Sequence, residues 1–361
     1  MVTVGSGRCV VTFAFEIGHS IDLDHCEQLL REAVRQTLRP SRRAPPHFSY
    51  RPAPLRLTQD GAGVAIDGRG CGSVNVVLYD FGAGSVGFVF PLAGAGFDDL
   101  IRLSAGLYEN AELQSGARDR IRGLLGTIAP AVVRPHVADA AEDYVVFELE
   151  QLAPPKDAVE LLREAGPALA QVLRAERAPL AAQEVDDALA ARLSVSPADL
   201  VIVDWNAAIL LDAEPEDARL VLEFANVQLL ELRWLDAELD GVLSHAYEAL
   251  ARSTRGGLAG LRLHAPDLGR IGELQADAAV LFERVTNALK LVGDQYLSRL
   301  YRMVSERLHL AEWDAGIARK LQTLDGIYGK LGDRASGRRL EALEWIVIVL
   351  IALEIVLSLV S

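Results

Sequence analysis

The stretch Leu200-Val-Ile-Val-Asp-Trp-Asn-Ala-Ala-Ile-Leu-Leu211 separates two kinds of sequence in this chain. Its apolar runs on either side of a polar centre predict two edge-to-edge strands or one bent strand, with Trp205 and Asn206 at the bend. The acidic, proline-bearing stretch from Asp212 to Asp217 follows as a boundary. Strand patterns occur before this stretch and helical periodicity dominates after it. The sequence therefore predicts an α+β fold.

Residues 1–215 are predicted to form a mixed α/β domain. Strand patterns occur at Cys9–Phe15, Val64–Ile66, Val74–Tyr79, Val86–Phe90 and Tyr144–Glu150. Helical patterns occur at Asp22–Leu38, Asp98–Ile128 and Val185–Leu193, and Asp22 can cap the first of these helices. Gly82 and Gly84 are expected to form a hairpin turn, because no G-x-G-x-x-G pattern marks a phosphate cradle.

Residues 216–338 are predicted to form long antiparallel helices. The first runs from Arg219 to Arg252 and the second from about Leu268 to Leu308. After a turn near Glu312–Asp314, apolar residues between Ile317 and Leu331 are spaced alternately four and three apart. That spacing is typical of a coiled coil and indicates a stalk. An ordinary helical bundle is the alternative interpretation.

Residues 339–361 are predicted to form a transmembrane tail anchor. The apolar run from Leu340 to Val360 corresponds to roughly 31 Å of helix, about the thickness of a hydrocarbon core. Trp345 stands at an interfacial position, and three arginines precede the span, namely Arg334, Arg338 and Arg339. By the positive-inside rule, the sequence predicts a single-pass protein of the inner (cytoplasmic) membrane, with its N-terminal body in the cytoplasm. A buried core helix is the alternative.

Glu354 is the one charged residue inside this apolar run, and it shares a helix face with Ser358. An acidic group in lipid requires a partner or a proton. The first interpretation is that this face packs against neighbouring copies or against a partner's spanning helix. The alternative is a lone protonated glutamate without a role.

The net charge of −14 argues against general nucleic-acid affinity, which requires clustered cations. A proline-rich loop, residues 39–56, is a local exception. It contains a basic strip, a candidate docking site for RNA, phosphate or acidic lipid, made of Arg39, Arg42, Arg43, Arg51 and Arg56. The alternative is a solvated, semi-rigid loop.

The sequence offers no catalytic constellation, metal motif or cofactor motif. The three cysteines form no C-x-x-C pair, and the scattered histidines form no H-E-x-x-H pair. Asp22, Asp24 and His25 are assigned to helix capping rather than to a metal. The carboxylates after the boundary are interpreted as a solvated acidic surface: Glu223, Glu231, Asp236, Glu238 and Asp240.

Several segments together resemble one known family. They are Tyr79–Gly82, Val221–Asp236, Gly293–Tyr301, Glu312–Trp313 and Leu343–Glu354. In these segments the chain is similar to a bacterial-looking member of the "required for meiotic nuclear division", or YagE-like, family, a domain of unknown function. The resemblance implies a membrane anchor at the C-terminus, no known catalytic residues or cofactor, and an association of mitochondrial relatives with organelle translation. Ribosome association is therefore an expectation that rests on the resemblance.

The sequence thus predicts a tail-anchored scaffold or tethering protein rather than an enzyme. We expect it to self-associate, to contact membrane lipid and to present its α/β domain to a protein or ribonucleoprotein partner. Two alternatives remain open. One is an enzyme of unknown reaction in the N-terminal domain, and the other is an accessory subunit of a membrane transport complex.

Overall fold

The computed structural model describes residues 2–30, 34–35, 53–254, 276, 280, 295–327 and 329. The strands are β1 Thr3–Glu16, β2 Ser20–Ile21, β3 Val34–Arg35, β4 Leu55–Asp60, β5 Ala65–Ile66, β6 Arg69–Gly70, β7 Ser73–Leu78, β8 Ala83–Pro91, β9 Val132–Val133, β10 Glu142–Ala153, β11 Arg192–Leu193, β12 Leu200–Val203 and β13 Ala207–Leu211. The helices are α1 Leu23–Leu29, α2 Phe97–Leu107, α3 Ala111–Ile128, α4 Ala158–Arg174, α5 Ala182–Ala188, α6 Glu216–Thr254 and α7 Gln295–Arg307. Residues 310–327 are also helical.

The centre of the fold is a nine-stranded sheet with the strand order β11-β12-β13-β10-β1-β8-β7-β4-β3. Neighbouring strands are antiparallel except for β10 and β13, which run parallel. A parallel pair needs a long crossover connection, and helices α4 and α5 lie in that connection. The sheet confirms the predicted α+β character of the N-terminal region.

Both faces of this sheet carry buried apolar side chains. Alternate residues of β1, such as Phe13 and Phe15, contribute to the larger core together with residues of α2, α3 and α4. Ala14, which lies between them, belongs to a second cluster that contains Val227 and Leu230 of α6. The strand is therefore buried on both sides, as its β-branched and aromatic composition predicts.

Three predicted helices are shorter or more divided than their sequence patterns indicate. The prediction of a helix over Val185–Leu193 is wrong after Ala188, because Arg192–Leu193 form β11 and pair with β12. The prediction of a helix over Asp22–Leu38 is wrong at Leu30, where the chain is extended, and at Val34–Arg35, which pair with β4. The other predicted residues after Leu30 lie outside the described ranges. The prediction of one helix over Asp98–Ile128 is also wrong. Glu109 adopts a left-handed φ of 48° between α2 and α3, which a continuous helix cannot contain.

The prediction of a separate helical stalk is corrected for the described residues. The first part of α6 packs on the sheet, because Val227 and Leu230 share a cluster with Ala14. Helix α7 belongs to the same compact unit as the sheet. Apolar residues at helical spacing predict contacts between helices, but in this part of α6 they cover a sheet face. The turn predicted near Glu312–Asp314 lies instead at residues 308–309, where His309 has a φ of 54°.

The described residues fall into two compact units. The first contains those within Met1–Trp234 and Leu281–Ala311, and the second those within Leu235–Val280 and Glu312–Ser361. In the second unit, Lys320 forms ion pairs with Asp236 and Asp240 at 2.6 Å each. The predicted boundaries at 215/216 and 338/339 stay predictions.

The prediction of a transmembrane helix is corrected, and with it the tail anchor and the location at the cytoplasmic membrane. Within the described ranges, no helix is long and apolar enough to cross a bilayer. The longest of them, α6, has charged residues along its length, and each would be costly in lipid. The predicted span, Leu340–Val360, lies outside the described residues.

Candidate functional site

The turn between β12 and β13 presents Trp205 at the surface. Backbone hydrogen bonds from Asp204 to Ala207 (2.8 Å) and from Val145 to Asn206 (3.1 Å) close the turn against the sheet. Asp and Asn are favoured in such turns because their side chains bond to nearby backbone. Here the Asp204 carboxylate accepts a bond from the Trp205 N–H at 2.8 Å. Trp205 thereby keeps 46% of its surface exposed beside a fully buried residue.

Two arginines neutralise the buried carboxylate of Asp204. Arg307 reaches Oδ1 through Nη2 at 2.6 Å, and Arg174 reaches Oδ2 through Nε at 2.8 Å. Both arginines also pair with Asp187, Arg307 at 3.0 Å. We call these four residues the Asp204 cluster. A buried carboxylate requires such partners, since its desolvation costs several kcal/mol, on the order of 20 kcal/mol in the idealised limit.

The Asp204 cluster also holds the turn backbone. The Tyr144 hydroxyl, on β10, donates a hydrogen bond of 2.8 Å to the Asp204 carbonyl. Burial raises the pKa of Tyr144, and the negative charge of Asp204 raises it further. Hydrogen bonding and the charge of Arg307 lower the pKa of Asp187. Tyr144 is therefore a neutral donor and Asp187 an ionised acceptor at neutral pH.

Trp205 packs against a second exposed aromatic residue, Tyr108. The two rings meet edge to face, with centroids 6.1 Å apart and an interplanar angle of 90°. Tyr108 lies between α2 and α3, where Asn110 caps α3 and Glu109 has its left-handed φ. It remains 39% exposed. The aromatic pair is therefore presented by two separate loops that meet.

Acidic residues flank this aromatic pair. Desolvation raises the pKa of Tyr108, and Glu109 and Asp143 raise it further through a hydrogen bond and through charge. Glu109 and Asp143 are both exposed. We define the Trp205 surface as Trp205, Tyr108, Glu109 and Asp143. Its chemistry, two aromatic rings beside two carboxylates, suits a cationic or proline-bearing peptide.

A second polar cluster lies beneath α6 on the sheet. Glu148 on β10 is fully buried and pairs with Arg8 on β1 and with Arg219 on α6, the latter at 2.7 Å. Arg219 also pairs with Glu223 at 2.5 Å. Desolvation raises the pKa of Glu148, although Arg219 and Arg8 act in the opposite direction. This cluster joins the sheet to the helix.

The comparison with known proteins matches the sheet-forming region. Residues 6–218 match the family described as "Uncharacterized protein MJ0711, N-terminal domain". The chain belongs to this family. One relative, the uncharacterized protein MJ0711 of Methanocaldococcus jannaschii, is 25% identical over 221 residues. The match covers 60% of this chain and 66% of the relative, just under two thirds of its length. No solved structure matches the chain significantly.

The matched MJ0711 N-terminal domain contains the whole Trp205 surface and three of the four residues of the Asp204 cluster. Trp205, Tyr108 and Asp143 all lie within residues 6–218, as do Arg174 and Asp204. Arg307 lies beyond the matched residues, on α7. The Asp204 cluster thus joins the MJ0711 N-terminal domain to a helix that follows it. The similarity to the meiotic nuclear division family, strongest in the last 140 residues, stays a prediction.

Of the predicted docking strip, the structure describes Arg56. It lies on β4, half-buried, with its guanidinium 3.4 Å from Glu223. Arg39, Arg42, Arg43 and Arg51 lie outside the described residues. The interpretation of Glu223 and Glu231 as solvated carboxylates is wrong, because both are buried, 6% and 5% exposed. The remaining predicted site residues also lie outside the described part of the chain: Arg334, Arg338, Arg339, Trp345, Glu354 and Ser358.

The cavities in the described part of the MJ0711 N-terminal domain include two that are bordered by charged side chains. One of about 520 Å³ is bordered by Asp22, Asp24, His25 and Asp80. Asp22 caps α1 by accepting from the backbone of Asp24 and His25, as its sequence position predicts. The other, about 270 Å³, lies beside Asp67, Arg69 and Arg102. Within the described ranges, no group of three His, Cys, Asp or Glu side chains could hold a metal ion.

Sequence reasoning placed Trp205 at the bend between two strands but assigned no function to it. The sequence contained one usable signal, a tryptophan between Asp204 and Asn206 in a turn. A turn residue is normally small or polar, so a large aromatic residue there indicates a surface role. Arg174, Arg307 and Tyr108 carried no comparable signal, because only the tertiary fold brings them to this turn.

Proposed function

We propose that this chain is a non-catalytic binding protein, a scaffold that engages a protein partner through the Trp205 surface. The observation that carries the proposal is an exposed tryptophan–tyrosine pair above a fully buried, doubly paired carboxylate. Tryptophan and tyrosine dominate the energetic centres of protein interfaces.

The energetics of the Asp204 cluster support this proposal. A buried ion pair often stabilises a fold less than apolar residues of the same volume would. We infer that this cluster serves chiefly to fix the turn. A fixed turn presents Trp205 to a partner without an ordering cost at binding.

The alternative, an enzyme in the N-terminal domain, has weaker support in the described residues. A catalytic site requires ionisable groups that converge in a cavity and are available to a substrate. The carboxylate of Asp22 borders the larger cavity but is engaged in capping α1. Glu148, with its raised pKa, is enclosed between the sheet and α6 by Arg8 and Arg219.

Substitution of Trp205 by alanine tests the proposal. The tagged full-length protein is purified from its native host, sized by light scattering and analysed for co-purifying proteins by mass spectrometry. We expect Trp205→Ala and Tyr108→Ala to weaken the association by about 2–4 kcal/mol, roughly 30-fold to 1000-fold in Kd, because each removes an interface anchor.

Tyr247→Ala is the matched control. Tyr247 lies on α6 and is 53% exposed, so its truncation removes a similar surface aromatic residue that is not one of the four residues of the Trp205 surface. Thermal unfolding followed by circular dichroism checks that all three variants are folded. An unchanged particle size and an unchanged set of associated proteins in Trp205→Ala would contradict the proposal.

A further inference from the structure

We infer that the occupant of the Trp205 surface is residues 38–52 of a second copy of this chain. This inference rests on the proposed function and names the partner of the same surface. We call these residues the strip segment, because they contain Arg39, Arg42, Arg43 and Arg51 of the basic strip.

The composition of the strip segment fits the surface. The segment reads Leu-Arg-Pro-Ser-Arg-Arg-Ala-Pro-Pro-His-Phe-Ser-Tyr-Arg-Pro and contains no Asp or Glu, whereas the whole chain has a net charge of −14. Proline-rich segments favour the extended polyproline II conformation, and binding proteins recognise them with exposed aromatic side chains. A surface that binds an arginine- and proline-bearing peptide is therefore expected to carry aromatic rings with acidic groups beside them.

The Trp205 surface supplies these two elements. Trp205 and Tyr108 offer aromatic edges and faces for proline rings and guanidinium groups. Glu109 and Asp143 supply negative charge next to the rings. The two arginines of the Asp204 cluster, Arg174 and Arg307, are paired with Asp187 and Asp204, so their positive charges are already balanced by carboxylates.

Chain length disfavours occupancy by the segment of the same molecule. Arg35 and Leu55 are paired in the sheet, so the connecting residues 36–54 leave and return at one place. From β4 to β13 there are five strand spacings, about 24 Å. Each arm of the connection contains roughly nine residues and reaches at most about 30 Å. Within one molecule, only the middle of this connection could reach the Trp205 surface. Several residues of the strip segment can therefore dock together only on another copy.

Reciprocal docking of the strip segments limits the assembly to two copies. If each copy docks its strip segment on the other's Trp205 surface, the two contacts are related by a two-fold axis and no surface remains open. The second contact forms at a high effective concentration, so the pair is tighter than a single contact. The expected particle is a dimer.

A complementation experiment tests this arrangement with the full-length chain. One variant, Trp205→Ala, lacks the surface, and the other, R39Q/R42Q/R43Q/R51Q, lacks the cations of the strip segment. By light scattering we expect the wild type to have a two-chain mass and each variant alone a one-chain mass. An equimolar mixture should associate through one intact contact, about tenfold or more weaker than wild type.

A peptide of residues 38–52 provides the direct readout. We expect it to bind the R39Q/R42Q/R43Q/R51Q variant and the Tyr247→Ala/R39Q/R42Q/R43Q/R51Q control with the same affinity. When Trp205→Ala is introduced into the R39Q/R42Q/R43Q/R51Q variant, the affinity for the peptide should fall at least about 30-fold, because an interface anchor is lost. Circular dichroism of each variant establishes that it is folded.

Three outcomes would overturn the inference whatever the result for Trp205→Ala alone, and two further outcomes separate it from the proposed function. The first is a wild-type mass of one chain, and the second is a mixture that does not associate. The third is nucleic acid in the wild-type particle that depends on the four arginines but not on Trp205. If Trp205→Ala disrupts an assembly that the four-arginine variant preserves, this inference fails while the proposed function stands. If Trp205→Ala changes nothing, both fail.

Discussion

At the scale of single residues, Trp205 and Asp204 are adjacent in the chain but lie in opposite environments. Trp205 leaves nearly half of its surface in solvent, whereas the Asp204 side chain is fully buried. The tryptophan forgoes part of the roughly 1.5–3 kcal/mol available from burying a large apolar side chain. The buried carboxylate of Asp204 has two arginine partners, Arg174 and Arg307.

The two acids of the Asp204 cluster allow a matched comparison, because both contact the same arginines. We expect Asp204→Asn to destabilise the fold by about 1.5–3 kcal/mol, since two half-buried guanidinium groups lose a charged partner that is fully buried. Asp187→Asn should cost only about 0.2–1 kcal/mol, because Asp187 is more than half exposed. Urea unfolding at neutral pH measures both. Equal losses of unfolding free energy in the two variants would show that the burial of Asp204 does not determine how much it stabilises the fold.

At the scale of elements, the β7–β8 hairpin shows how a turn depends on the chain segment beside it. Gly82 has a φ of 109°, and a Cβ there would overlap the Gly18 carbonyl oxygen. The hairpin is the one that the glycine pattern predicts. Gly18 follows β1 and is distant from Gly82 in the sequence, so no local pattern reveals this contact.

Gly82→Ala is therefore expected to destabilise the protein by more than about 3 kcal/mol, through backbone strain and the clash together. Gly94→Ala serves as the control. Gly94 also has a positive φ, 78°, but no atom lies within 4 Å of the position that an added methyl group would take. The Gly94→Ala variant should lose only about 1–2 kcal/mol of unfolding free energy, which is the cost of the left-handed conformation alone. Chemical unfolding of both variants gives the difference, and similar losses would contradict the role of the Gly18 contact.

At the scale of the whole molecule, a charged layer joins α6 to the sheet within the first compact unit. Glu148 from the sheet meets Arg219 of α6, which also holds Glu223, and Glu223 in turn meets Arg56 of β4. Arg56, one of the five arginines of the predicted docking strip, therefore joins β4 to α6.

Arg219→Ala should destabilise the fold by about 3–5 kcal/mol at pH 7, because Glu148 and Glu223 lose a buried counter-charge. The pKa of Glu148 is already raised by burial, and the loss of Arg219 should raise it further. A carboxyl whose folded pKa lies above its unfolded value stabilises the fold below the unfolded pKa, about 4.3, and loses that contribution as pH rises through the folded pKa.

The free energy of unfolding that Arg219→Ala loses relative to wild type should consequently become smaller as pH falls from 7 toward 4. Urea unfolding across this range measures it. The double variant Arg219→Ala/Glu148→Gln is the control, because it removes the titrating carboxyl and should show a smaller change with pH. A deficit that stays constant with pH in the single variant would exclude Glu148 as its source.

Apart from β4, the strands of four or more residues could be predicted from local sequence, whereas most two-residue strands and the helix lengths could not. Cys9–Phe15 and Val74–Tyr79 are β-branched or aromatic runs, and such runs favour a sheet wherever they are buried. The predicted helix from Asp22 failed after Leu29 because pairing of Val34–Arg35 with β4 overrode its helical periodicity. Helix α4 was missed, since Gly166 and Pro167 interrupt its pattern in sequence while its other residues pack on α2 and β13.

The sequence by itself determined the α+β character, the hairpin at Gly82, the cap at Asp22 and the position of Trp205 in a turn. These features depend on residues within a few positions of one another, where side-chain chemistry and backbone sterics act directly. The tertiary structure alone decided that α6 covers a sheet face, that Arg56 meets Glu223, and that Tyr108 meets Trp205. Those contacts join residues about 100 or more positions apart, because chain folding, and no local pattern, sets which distant surfaces bury each other.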